Sequence, residues 1–151
     1  MKTFHTQGVI LQKYDIFEQD RSYTLFTESH GKIRAIAKGA RKITSRRASH
    51  LDFLNLCHFQ LYEVNSNKIL ITQCQTLESY QEIKRDLQFL SAASYIAEIT
   101  NKLIYEHQQN EDIFELLKNA LRLLNEKQPY TMIVSAFTTK LLTLLGLLPN
   151  F

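Results

Sequence analysis

Seven cations fall within the sixteen residues from Lys32 to Arg47: Lys32, Arg34, Lys38, Arg41, Lys42, Arg46 and Arg47, with no acidic residue among them. Side chains of this kind displace counterions from a phosphate backbone, so the chemistry they suggest is polyanion binding rather than covalent catalysis. A strand alternates its faces, and this one would put Lys32, Arg34, Ile36 and Lys38 on one side and Ile33, Ala35 and Ala37 on the other, toward a core. The polar run from Gly39 to Arg47 could then follow a phosphate backbone. Like charges repel, which favours a polyanionic ligand over a bare solvated strand and loop. Exposed rings are the other half of a single-strand site, because bases stack on aromatic faces. Tyr14, Phe17, Tyr23 and Phe53 are the candidates nearest the basic stretch, and Tyr14 is the one placed in the site.

Other chemistry is poorly provided for. The chain has no GxGxxG, GxxxxGK[ST], GxSxG or HExxH motif. His5, His30, His50, His58 and His107 have no metal-ligand spacing, and Cys57 and Cys74 form neither a CxxC nor a Cys/His set. Asp15, Glu18 and Asp20 could touch a divalent ion but read better as a polar connector between strands. No catalytic residue, metal or cofactor is therefore expected. The N-terminus has no signal-peptide pattern, and no run reaches the roughly 20 apolar residues that cross a bilayer, so a cytoplasmic protein away from membranes is expected.

The elements that would position the basic stretch change character along the chain. Five period-two runs, Thr6 to Gln12, Ser22 to Glu28, Lys32 to Lys38, Phe53 to Glu63 and Lys68 to Thr76, predict short strands. Gly31 is available for a positive-φ turn, and Asn65-Ser66-Asn67 suits a second hairpin. Five short strands in so few residues predict a closed barrel, which leaves no open edge. From about Glu82 the period becomes helical. Phe89, Ala93, Ile96, Ile99 and Leu103 form one stripe; Asn110 is placed to cap a second helix carrying Ile113, Leu117, Leu121 and Leu124; Pro129 would open a third, through Ile133, Phe137 and Leu141. The fold class is α+β: a five-stranded barrel over residues 1–80 and a small helical domain over 81–151. Charge follows the same division. Residues 1–52 carry ten basic and five acidic side chains, whereas 53–151 carry eight and ten.

Several motifs occur in register: Thr6-Gln7-Gly8-Val9-Ile10-Leu11, Tyr14-Asp15, Thr24-Leu25-Phe26-Thr27, and the run His30 to Lys42 containing Gly-Lys-Ile-Arg-Ala-Ile-Ala-Lys-Gly-Ala-Arg. Phe59 to Glu63, Leu77 to Tyr80, Asp86-Leu87, Ala93 to Glu98 and Leu144-Leu145-Gly146 extend the pattern. Together they resemble the RecO family of bacterial recombination mediators, over most of the chain. The resemblance implies an OB-fold followed by an α-helical domain. It also implies binding of single- and double-stranded DNA, annealing of complementary strands, contact with single-strand-binding protein and RecR, and help in loading RecA. Lys32, Arg34, Lys38, Arg41 and Lys42 fall in the matching segment; Arg46 and Arg47 align less securely. The family usually continues past the Leu-Gly-Leu-Leu-Pro position into further helices, often with a cysteine zinc module, so the chain ending at Phe151 reads as truncated or as a short member. On the residues alone, an OB-fold RNA-binding protein and a protein–protein adaptor remain alternatives.

Overall fold

A computed structural model describes residues 2–16, 19–38 and 50–148. Five strands, β1 (Lys2–Asp15), β2 (Arg21–Thr27), β3 (Gly31–Ala37), β4 (Leu56–Asn65) and β5 (Lys68–Glu78), close into a barrel in the order β1-β2-β3-β5-β4. All neighbours are antiparallel except β3 and β5, whose parallel seam is registered at Ile36 and Leu70 among the described residues. Bulges in the β1–β2 ladder at Ile10/Gln12 and in the β4–β5 ladder at three points bend a short sheet enough to close on itself. Five strands and the period change near residue 80 are as the sequence predicts. β1 is longer at both ends, and Phe53 precedes β4 rather than opening it.

The barrel interior is filled by Ile10, Tyr23, Leu25, Ile33, Ala35, Leu51, Phe59, Leu61, Ile69 and Ile71, with Phe4 and Cys74 packed at its margin. Gly8 lets β1 pass close to its neighbours: a Cβ there would stand 3.2 Å from the Phe26 carbonyl oxygen and 3.3 Å from the Phe59 ring. The β2–β3 turn is held by Thr27, whose Oγ1 donates to the Gly31 carbonyl (2.7 Å) and accepts from the His30 N–H (3.1 Å). Gly31 takes φ 67°, the conformation expected of it.

Contacts divide the chain into two compact units, residues 1–79 with 105–109, and residues 80–104 with 110–151. The second unit holds α1 (Gln81–Lys84), α2 (Leu87–Leu103), α3 (Glu111–Asn125) and α4 (Tyr130–Leu144), one short helix more than the sequence pattern predicts. Only four residues long, α1 is too short to show a helical period, and it is fastened from outside. The Glu82 and Ile83 N–H groups donate to Asn125 Oδ1 at 3.0 and 3.2 Å.

The Asp86 carboxylate accepts from the Gln88 N–H at the start of α2, and Asn110 Oδ1 accepts from the Ile113 N–H at the start of α3, both at 3.0 Å. The buried face of α2 is centred on Ala92, Ala93, Ile96, Ala97 and Thr100; Phe89, Ile99 and Leu103 lie at its half-buried margin. The buried stripe of α3 includes all four of its expected residues, with Phe114 and Ala120 added, and Ile133, Phe137 and Leu141 are buried on α4.

Candidate nucleic-acid interface

β3 alternates as its sequence requires. Ile33, Ala35 and Ala37 are buried; Arg34 and Lys38 are exposed on the opposite face, with Lys32 and Ile36 half-buried beside them. The ladders then extend this outer face across the barrel. Tyr14 of β1 is opposite Ser22 of β2, and Ser22 is opposite Ile36 of β3. Directly opposed residues project from the same side of a sheet, so Tyr14 shares the face of Arg34 and Lys38, its backbone about 10 Å from Ile36 and about 12 Å from each cation. Tyr14 as a residue is 43% exposed, which leaves it available for stacking beside the cations.

Tyr23 is not part of that surface. It stands opposite Ala35, one residue out of phase with Arg34, and is fully buried in the barrel. Strand parity thus removes Tyr23 from the ring candidates. Burial pushes the Tyr23 hydroxyl pKa up, with the Arg21 guanidinium acting against it. Phe53 is half-buried. Phe17, Glu18, Arg41, Lys42, Arg46 and Arg47 lie outside the described residues.

The basic stretch meets an acidic side chain from far along the chain. Arg34 Nε donates to Glu106 Oε1 at 2.9 Å. Glu106 belongs to the Tyr105–Gln109 segment that lies with the barrel unit, where it forms a parallel bridge with Lys32, and the His107 N–H donates to the Lys32 carbonyl at 2.8 Å. Partial burial lowers the Lys32 pKa; the Glu106 charge raises it and the Arg34 charge lowers it further. Glu106 was missed because nothing in a polar connector between two helices signals contact with a strand some seventy positions earlier.

Of the acidic trio, Asp15 accepts from Arg21 Nε at 2.8 Å, and this hydrogen bond raises the Arg21 pKa. The pair joins β1 to β2, as a polar connector would. Lys13 is similarly paired with Asp52 at 3.5 Å. Past the segment following β3, His50 is fixed to the barrel: its carbonyl accepts from Asn55 Nδ2 and Cys57 Sγ, and its Nδ1 accepts from the Thr76 N–H. Among the described residues no group of three or more His, Cys, Asp or Glu side chains could hold a metal ion. Among the described residues no helix is long and apolar enough to cross a membrane.

Residues 1–80 match the family described as recombination protein O N terminal, and residues 84–151 match recombination protein O C terminal. The chain is 36% identical over 151 residues to the DNA repair protein RecO of Thermoanaerobacter sp. (strain X514), covering 99% of this chain and 60% of the relative. It is 34% identical over 147 residues to the DNA repair protein RecO of Moorella thermoacetica, covering 97% and 54%. For the protein of that name in Roseiflexus sp. (strain RS-1) the identity is 31% over 149 residues, covering 99% and 52%. The chain thus spans roughly half to three fifths of the length of these relatives.

Proposed function

This chain belongs to the RecO family of DNA repair proteins, and from that premise we propose that it is a DNA-binding recombination mediator that changes no covalent bond. It holds single- and double-stranded DNA through phosphate contacts on the outer face of β3, aided by stacking on Tyr14. By neutralising phosphate charge it lowers the repulsion between two strands, or between a strand and a recombinase, and so favours annealing and RecA loading. Single-strand-binding protein, RecR and RecA are its proposed partners, met through the helical unit, and the cytoplasm is its proposed site of action. Arg41, Lys42, Arg46 and Arg47 are proposed as further phosphate contacts on the strength of the sequence.

The observation that carries this reading is the shared outer face of Tyr14, Arg34 and Lys38, which pairs an exposed ring with exposed cations on an OB-type barrel. A salt-titrated binding series with matched single-stranded DNA, duplex DNA and RNA tests it. Replacing Lys32, Arg34 and Lys38 together by Ala should weaken DNA binding and flatten log K against log salt by roughly two to three units, at about 0.7 per contact on single strands and about 0.9 on duplex. Wild-type affinity and slope in that variant would place the DNA elsewhere. Tighter binding to RNA than to either DNA would favour an RNA-binding protein instead.

A further inference from the structure

The Tyr105–Gln109 segment carries an anion onto the face that is argued above to bind anions. We propose that Glu106 is a built-in competitor for phosphate: its carboxylate neutralises Arg34 and holds its Nε–H, so a DNA phosphate must compete with it for that guanidinium. The inference rests on the DNA-binding reading of β3 and adds a residue that sets its affinity.

The placement of Glu106 is a main-chain property. Besides the Lys32 bridge and the His107 N–H to Lys32 carbonyl bond, the Gln108 N–H donates to the Tyr105 carbonyl at 3.3 Å, closing a turn in which His107 takes φ 63°. A non-glycine residue adopts that conformation only where its surroundings hold it. Gly31 completes the seat, since a Cβ on it would meet the Gln108 carbonyl oxygen at 2.4 Å.

The side-chain contact, by contrast, is exchangeable. Arg34 is 71% and Glu106 45% exposed, so water solvates both partners and the pair is weakly held. A carboxylate oxygen at 2.9 Å from Nε takes one of the donors that a phosphate would use and neutralises the charge that draws it. The segment therefore stays on β3 by its backbone while its charged tip can yield. Selectivity follows: an isolated anion gains little by displacing Glu106, whereas a polyanion that also reaches Lys38 and its neighbours recovers the loss over several contacts.

The test titrates a fluorescein-labelled oligodeoxythymidine across a salt series into the wild-type chain, Glu106→Gln, Glu98→Gln, Arg34→Ala and Arg34→Ala with Glu106→Gln. Glu98→Gln removes the same charge from an exposed ion pair with Lys102 on α2 and controls for bulk electrostatics. Glu106→Gln should bind about two- to fivefold tighter near physiological salt, the range set by a solvated ion pair, with a steeper slope because the gain is screened as salt rises. The gain should vanish in the Arg34→Ala background, and Glu98→Gln should leave the slope unchanged. NMR adds a readout that needs no DNA: the Arg34 Nε–H resonance should shift in Glu106→Gln, and should move again when oligonucleotide is added to the wild-type chain. Equal gains from Glu98→Gln and Glu106→Gln, or a gain that survives loss of Arg34, would overturn the proposal. Wild-type binding with no change in Glu106→Gln would overturn it while leaving the DNA-binding reading in place. If no variant binds the oligonucleotide at any salt, the DNA-binding reading fails and the proposal with it.

Discussion

β2 and β3 are adjacent strands of seven residues each in one barrel, yet they are buried differently. Every residue of β2 from Tyr23 to Thr27 is buried, whereas β3 alternates buried Ile33, Ala35 and Ala37 with outward Lys32, Arg34 and Ile36. The difference separates two tasks. A strand buried on both sides contributes stability and can carry no free charge, and the run Tyr-Thr-Leu-Phe-Thr carries none. A strand buried on one side can have its outer residues replaced with little cost to folding, which is what permits cations there.

The comparison makes graded predictions. Phe26→Ala on β2 should cost about 3–5 kcal/mol, because a fully buried ring leaves a cavity; a urea titration followed by circular dichroism measures it. A loss under about 1 kcal/mol would mean that the outer side of β2 is not load-carrying. Gly31→Ala, at the turn between the two strands, should cost about 1–3 kcal/mol from its φ of 67° alone. It should also dislodge the Tyr105–Gln109 segment, seen as altered amide shifts for Glu106 and His107, because the new methyl collides with the Gln108 carbonyl. Arg34→Ala on β3 should change stability by less than about 0.5 kcal/mol, while lowering affinity for a labelled single strand. A stability loss comparable to that of Phe26→Ala would erase the distinction between the strands.

How much of this was legible depended on how local each cause was. The faces of β3, the positive φ of Gly31 and the Asn110 cap follow from spacing or from a residue's own conformational preference, and all three are found. Burial on both sides of β2 was not legible at Phe26, because phase tells which side a ring faces but not whether that side is covered. Tyr23 was one of four ring candidates near the cations, and its position opposite buried Ala35 decides against it. Glu106 left no local signal at all: it reaches Arg34 through a main-chain bridge to Lys32, and main-chain hydrogen bonding is nearly independent of side-chain type. Arg41 and Lys42, the two cations beyond Gly39 with the best family alignment, the arginines Arg46 and Arg47, and the acidic Glu18 lie outside the described residues, so their placement rests on sequence alone.

The seam between β3 and β5 gives the barrel a preferred place to breathe. β1 is zipped to β4 over eight registered pairs, from Lys2 opposite Glu63 to Val9 opposite Leu56, whereas β3 meets β5 at Ile36 and Leu70. Among the described residues, separating the seam breaks few cross-strand bonds, so amide hydrogens there should exchange with solvent deuterium before those in the β1–β4 ladder. That order can be read by NMR-detected exchange. Because Ile36 lies between Arg34 and Lys38 on its strand, each opening would also alter the spacing of the cations relative to β5, making the fastest breathing motion of the barrel one that reshapes its basic face.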